Sequence, residues 1–154
     1  MQSSMVDKLM DMCDKHSGSI AEIWYKSLTT NPRTKACNAI PKEVCLRQAA
    51  DIYKSIADVY FAEDGYKAMG QILDISGFVD TYFARGVPLE QTLYALILLR
   101  RHIWLFADAQ LIFNPSVADM ALAIDSINRI LLVFDYATHY VCKTYLELAA
   151  KPRQ

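Results

Sequence analysis

The chain has 154 residues, a length typical of one domain, since domains usually contain about 100–200 residues. Apolar residues make up 53% of it, charged residues 21%, and the formal net charge is −1, which excludes the basic excess typical of nucleic-acid-binding proteins. Its longest apolar run, Leu93 to Leu99, is far shorter than the about 20 residues of a membrane span. We therefore expect one domain over residues 1–150 and a linker or frayed end over 151–154.

The N-terminus, MQSSMVDKLMDMC, has neither the charged start nor the apolar stretch of a secretory signal. We therefore expect a cytoplasmic protein. In that compartment the four cysteines, Cys13, Cys37, Cys45 and Cys142, are expected to be reduced thiols rather than disulfides.

Helical spacing of apolar residues runs through the whole chain, and no segment alternates apolar and polar residues between turn signals as a strand does. We predict an all-α, five-helix bundle with a long C-terminal helix. Gly18 is expected to bend the first helix, and Gly86 to take the left-handed conformation after the third. The predicted helices run from about Ser4 to Thr29, Pro41 to Ala62, Tyr66 to Arg85, Pro88 to Phe113, and Ser116 to near residue 150. Ser116 is the expected N-cap of the last helix, and Asp119 follows it by three residues as in a capping box.

The last predicted helix carries two apolar rows, more apolar surface than one core requires. The surplus predicts a partner helix, most simply the same helix of a second copy. The pattern leaves open which row faces the core. The first row is Met120, Ile124, Ile127, Leu131, Phe134, Thr138, Val141, Tyr145 and Leu148, and the second is Ala123, Ile130, Val133, Ala137 and Tyr140. From the first row we predict a dimer interface of Ile127, Leu131, Phe134, Val141 and Tyr145.

Two segments resemble a known family. RGVPLEQTLYALILLRRHIWLF, from Arg85 to Phe106, and IAEIWYKSL, from Ile20 to Leu28, are similar to the N-terminal domain of bacterial stressosome co-antagonists of the RsbRD type. The same domain also precedes some histidine kinases. Together with the order of the helices, the resemblance covers about residues 5–150.

The resemblance implies a sensory or regulatory input module with a globin-like arrangement of helices, usually without haem, that dimerises through its terminal helices. It implies no catalytic residues. It also implies an output domain or a separate partner protein that receives the signal.

Two Cys/His pairs allow a metal site as an alternative. Cys13 and His16 are three residues apart on the first helix, and His139 and Cys142 are three apart on the last, so each pair shares a helix face. If the two helices packed side by side, or met across a dimer, the four side chains would suit tetrahedral zinc. The competing interpretation is that both cysteines are buried apolar residues and both histidines lie at an edge.

His102 has only apolar helical neighbours, which predicts a buried imidazole with a hydrogen-bond partner. In a globin-like fold such a histidine is also a candidate haem ligand. A lone histidine on an apolar helix face is more often a buried core residue with a hydrogen-bond partner than a ligand.

A ligand pocket is the further alternative around this histidine. One of Arg100 and Arg101 must face less polar surroundings, where it would need an acidic partner or an anionic ligand. Trp24 and Trp104 line a cavity in this interpretation, or fill the core in the plainer one. The candidate ligand-binding set, for a small hydrophobic or anionic ligand, is Trp24, Arg101, His102 and Trp104.

Enzyme motifs are missing from the sequence: there is no G-x-S-x-G, Gly-rich phosphate loop, H-E-x-x-H or Cys-x-x-Cys. The leading hypothesis, which the resemblance implies, is a cofactor-free, non-catalytic sensory domain that forms a homodimer. A haem- or zinc-binding sensor and a helical protein–protein adaptor are the alternatives.

Overall fold

A computed structural model describes residues 4–110, 112 and 120–152, and every element in these ranges is helical. The all-α prediction and the long C-terminal helix are confirmed. Seven α-helices and one 3₁₀ helix follow in order: α1 (Met5–Lys15), α2 (Ser17–Thr30), the 3₁₀ helix (Pro32–Ala39), α3 (Lys42–Tyr60), α4 (Gly65–Ser76), α5 (Phe78–Ala84), α6 (Leu89–Ala109) and α7 (Met120–Ala150).

The predicted first helix is divided at His16, where the backbone leaves helical geometry with φ −108° and ψ 18°. The prediction of a bend was close, but Gly18 is not its cause, because Gly18 lies inside α2. At the other end of α1, Ser4 acts as the N-cap, and its hydroxyl accepts a hydrogen bond from the Asp7 amide at 3.1 Å.

The predicted third helix is also divided, at Gly77. This residue has φ +72°, a left-handed conformation that glycine adopts without the steric penalty of a Cβ. It ends α4, and α5 begins at the next residue. Gly86 has φ +75°, which confirms the predicted left-handed residue after α5.

The predicted loop before Ile40 contains the 3₁₀ helix. Asn31 starts it by accepting a hydrogen bond from the Arg33 amide at 2.9 Å. Thr34 is buried within it and donates to the Leu28 carbonyl at 2.7 Å, which ties the segment to the end of α2. Local polar side chains therefore give order to a stretch that lacks an apolar period.

The predicted fourth helix ends earlier than expected, at Ala109. Its expected end, Phe113, and the expected N-cap residues of the next helix, Ser116 and Asp119, lie outside the described residues. Among the helices that the structure describes, none is both long enough and apolar enough to cross a membrane.

The core is centred on aromatic residues with polar tips. Trp24 of α2 is fully buried and donates from Nε1 to the Ala95 carbonyl of α6 at 3.1 Å. Tyr53 of α3 is equally buried and donates its hydroxyl to the Leu99 carbonyl of α6 at 2.8 Å. Both polar atoms are therefore satisfied inside the core, as burial requires, and α6 is fixed against α2 and α3.

The C-terminal half of α7 packs on α4 by placing two tyrosine rings over two glycines. A Cβ on Gly65 would lie 2.9 Å from the Tyr136 ring, and a Cβ on Gly70 would lie 2.9 Å from the Tyr140 ring. The Tyr140 hydroxyl also donates to the Asp74 carboxylate at 2.5 Å. Glycine at these two positions therefore permits the close approach of α7 to α4.

We expect Gly70→Ala to destabilise the protein, since the new methyl group meets a ring held by a hydrogen bond at its far end. The overpacking cost of about 1–3 kcal/mol should exceed the gain of about 1 kcal/mol from alanine's better helix propensity. Gly18→Ala is the matched control, because nothing lies within 4 Å of its Cβ, and it should stabilise the protein. Denaturant unfolding measures both, and equal effects would contradict the packing argument.

Candidate functional site

The structure settles which side of α7 faces the core. The buried face takes most of the second predicted row and the C-terminal part of the first, so neither row alone is the core stripe. The buried residues are Ala123, Ser126, Ile130, Val133, Phe134, Ala137, Val141 and Tyr145.

The predicted dimer interface needs correction at three of its five residues. Phe134, Val141 and Tyr145 are buried within a single copy of the chain, so a partner helix cannot reach them. Tyr145 also donates its hydroxyl to the Val87 carbonyl at 2.9 Å and lies 2.6 Å from the Thr92 hydroxyl, an arrangement of a core residue. Ile127 and Leu131 are half-buried and stay candidates.

Apolar surface remains on the N-terminal half of α7. Met120 and Ile124, which is 53% exposed, continue through Ile127 and Leu131 along one side of the helix. We call these four residues the α7 stripe. Among the described residues, α7 supplies five of the ten large hydrophobic side chains that are most exposed: Met120, Leu122, Ile124, Leu132 and Leu146. Apolar surface of this density on one helix is typical of an interaction site.

His102 is buried, as its neighbours predicted. Its Nε2 atom lies 2.7 Å from the Ser27 hydroxyl of α2, which gives it the hydrogen-bond partner that burial demands. Burial, and to a lesser degree the charge of Arg101, lowers the pKa of His102 from its ordinary value of 6.5. The ring is therefore neutral near pH 7.

The surroundings of His102 do not fit a haem ligand. The ring nitrogen that would approach an iron is engaged with Ser27 across the contact between α2 and α6. Binding an iron at this nitrogen would break that bond and leave a half-buried hydroxyl without its partner. The structure therefore favours the satisfied core histidine.

The other members of the predicted ligand-binding set differ in burial. Trp24 fills the core, whereas Arg101 is exposed to solvent. Arg100, rather than Arg101, is the half-buried arginine of the pair, and Trp104 is half-buried as well. The structure therefore favours the plainer interpretation of Trp24 as a core residue, and the anion-binding role of Arg101 stays a prediction.

The predicted zinc set is separated. Cys13 is buried, whereas His16 is exposed and its ring stands 5.5 Å from that of Phe106 on α6. His139 contacts a different helix, with Nδ1 3.0 Å from the Tyr66 hydroxyl of α4. In residues 4–110, 112 and 120–152, no group of three or more His, Cys, Asp or Glu side chains is placed to hold a metal ion. Cys13, His16, His139 and Cys142 therefore do not form the predicted site within one chain, and a site shared across a dimer stays a prediction.

The three buried cysteines are poor nucleophiles. Burial raises the pKa of Cys13 and of Cys37 to about 12, and that of Cys45 to about 11. Because the thiolate is the reactive form, these residues behave as small apolar side chains. Cys142 is half-buried, and it is the most accessible of the four thiols.

Sequence reasoning missed an aromatic cluster between α4 and α7. Tyr66 makes edge contacts with the rings of Tyr136, His139 and Tyr140, at centroid distances of 6.0, 5.4 and 6.3 Å. The available signal was the i, i+4 spacing of Tyr136 and Tyr140. Gly65 and Gly70 of α4 could not be recognised as the contact sites of these rings from the sequence, because that role depends on the pairing of α4 with α7.

Comparison of the chain with protein-family models, curated proteins and solved structures gives no match. The resemblance to the RsbRD-type domain therefore stays a prediction. The globin-like arrangement stays one as well.

The neutral state of His102 predicts a pH dependence of stability. The unfolded chain takes up a proton near the ordinary pKa of 6.5, whereas the folded protein does so only at a lower pH. The protein therefore has its full stability above about pH 6.5, and it loses stability as the pH falls from 6.5 through the folded-state pKa of His102. The slope should not exceed about 1.4 kcal/mol per pH unit, the limit for one proton.

Denaturant unfolding at a series of pH values measures this slope. His102→Gln, which keeps a polar group near Ser27 but does not titrate, should flatten the curve in this range. An unchanged slope in the variant would show that another group is responsible.

Burial of the cysteines predicts one fast thiol. In the native protein, a thiol reagent such as iodoacetamide should modify Cys142 first, and Cys13, Cys37 and Cys45 should react only after unfolding. Mass spectrometry of peptides from native and denatured samples identifies the modified residues. Fast native modification of any of the three buried thiols would contradict the packing described above.

Proposed function

We propose that this chain is a non-catalytic regulatory input domain that pairs with a second copy through α7 and passes a signal to an output domain or partner protein. The observation that carries the proposal is the α7 stripe, in which Met120 and Ile124 are exposed and Ile127 and Leu131 are half-buried. The resemblance to the RsbRD-type domain, a cytoplasmic module that dimerises through terminal helices, agrees with it.

The geometry of α7 suits pairing with an identical helix. At a rise of about 1.5 Å per residue, Met120 and Leu131 lie roughly 17 Å apart along the helix axis. A two-fold axis would place this stripe against itself, so one patch supplies both halves of the contact. The proposed interface therefore replaces the predicted one: it keeps Ile127 and Leu131, and it adds Met120 and Ile124.

Signal transmission follows from the two contacts that α7 makes in this proposal. The buried face of α7 packs on the core, and the aromatic cluster holds it on α4, while the stripe contacts the partner. A ligand or protein that alters the packing of the core therefore changes the tilt or position of α7. A helix interface with two discrete arrangements amplifies such a small displacement.

The two alternative functions, a haem or zinc sensor and a helical adaptor, require different features of the structure. A haem or zinc sensor would need a ligand set, and His102 is bonded to Ser27 while the four Cys/His residues are apart. A helical adaptor would use the same α7 stripe for a different protein. The oligomeric state of the purified chain separates a homodimer from an adaptor.

We expect Ile124→Glu to weaken dimerisation by more than about tenfold, because an unpaired carboxylate buried between apolar surfaces costs more than the 1.4 kcal/mol that corresponds to a factor of ten. Light scattering over a dilution series measures the change. Ile75→Glu is the matched control, since Ile75 is 86% exposed on α4, and it should leave the dimer intact.

Two results would contradict the dimer. One is a wild-type chain that is monomeric throughout the dilution series, and the other is a folded Ile124→Glu variant that dimerises as the wild type does. Circular dichroism of each variant confirms that the fold is retained.

A further inference from the structure

A cleft lies on the outer face of α2, the face that turns away from Trp24, where it meets the first turn of α3. It is a shallow, open depression with a volume of about 500 Å³. The cleft opens to solvent and is separate from the α7 stripe. Its lining consists of Glu22, Ile23, Tyr25, Lys26, Thr29 and Lys42.

Lys42 lies close to two other residues that line this cleft. Its ammonium group stands 5.5 Å from the centre of the Tyr25 ring, a cation–π distance. It also lies 3.9 Å from the Glu22 carboxylate, too far for a hydrogen bond. Because both partners are largely exposed, this ion pair is weak. A carboxylate that comes within hydrogen-bond distance would therefore replace Glu22 at little cost.

The charge around the cleft favours an anion. Lys26 and Lys42 line the cleft together with the carboxylate of Glu22. A second carboxylate, that of Glu43, is close enough to add to the rise in the pKa of Tyr25 that burial causes. The segment from Lys26 to Arg47 contains five basic residues and one acidic residue, although the whole chain has a net charge of −1. This excess along the segment favours anions over cations at this surface.

The lining also includes one aromatic and one aliphatic side chain. Tyr25 is half-buried, and Ile23 is 46% exposed. A flat apolar group placed against these two side chains would cover surface that is now in contact with water. The cleft thus combines an apolar wall with two ammonium groups, the pattern of a site for an amphipathic anion.

We infer that this cleft binds a small organic anion with a flat apolar body, such as an aromatic carboxylate. The carboxylate pairs with Lys42 and Lys26, and the ring lies against Tyr25 and Ile23. The inference goes beyond the proposed function, because it requires neither dimerisation nor any residue of α7.

Titration of the full chain with benzoate, followed by ¹H–¹⁵N NMR, tests the inference. Shifts should be confined to the amides of residues 22–29 and of the start of α3. Benzamide, the uncharged counterpart of benzoate, should cause much smaller shifts. Added salt should weaken the binding of benzoate, because exposed charges are screened.

Variants identify the charge that matters. Lys42→Gln should weaken benzoate binding by up to about fivefold, the equivalent of the upper range for an exposed ion pair, and Lys26→Gln should act in the same direction. Lys54→Gln is the matched control, because Lys54 is exposed on α3 but does not line the cleft. All three positions are on the surface, so each variant is expected to fold.

Four outcomes would overturn the inference: no shifts at the cleft, shifts centred elsewhere, equal binding of benzamide, or an affinity that Lys42→Gln leaves unchanged. Binding of an acidic peptide without any binding of benzoate would overturn it too, in favour of a protein partner. None of these results bears on the dimer, which light scattering measures independently.

Discussion

The buried hydrogen bonds from Trp24 and Tyr53 to the backbone of α6 are the constraint on which the rest of the fold depends. Each side chain brings a large apolar surface into the core together with one polar atom that must find a partner there. The two acceptors, the carbonyls of Ala95 and Leu99, are one helical turn apart. This spacing fixes the position of α6 along its axis relative to α2 and α3, because sliding α6 by one residue would leave both donors unpaired.

The position of α6 in turn determines what its other side chains meet. His102 is one turn beyond Leu99, and it reaches the Ser27 hydroxyl of α2 because α6 is held in this position. Burial in this position keeps the histidine neutral near pH 7, and Arg101, the preceding residue, lies at the surface. The chemistry that a lone histidine and an arginine suggested in the sequence is therefore a consequence of packing between two core helices.

The helical spacing of apolar residues and the positions of the turn-forming residues were enough to predict the helical class, the long last helix and the left-handed Gly86. All three features depend on local geometry. The predicted helix breaks were less accurate. The break at His16 lies two residues before the glycine that was expected to cause it. Gly77 separates two helices whose apolar residues follow one continuous helical spacing in the sequence. Such breaks are set by tertiary contacts, which a single sequence does not contain.

The candidate site was predictable only in part, for the same reason. That α7 has surplus apolar surface is visible in the sequence, but the face that the core covers depends on where α4 and α6 lie. Phe134, Val141 and Tyr145 were therefore misassigned, whereas Ile127 and Leu131 keep an accessible edge. The α2 cleft was missed because Lys26 and Lys42 come together only after the chain passes through the 3₁₀ helix and returns at α3.

The two tyrosine rings seated on the glycines of α4 have a mechanical consequence. Tyr136 and Tyr140 are four residues apart, and both rings contact positions where any larger side chain would collide with them. Movement of α7 along α4 therefore requires both rings to leave their contacts with the glycines at the same time. It also breaks the hydrogen bond between Tyr140 and Asp74. Small displacements meet steep resistance because the contact is close-packed. These two contacts hold α7 in one position along α4, so a weak force does not displace it.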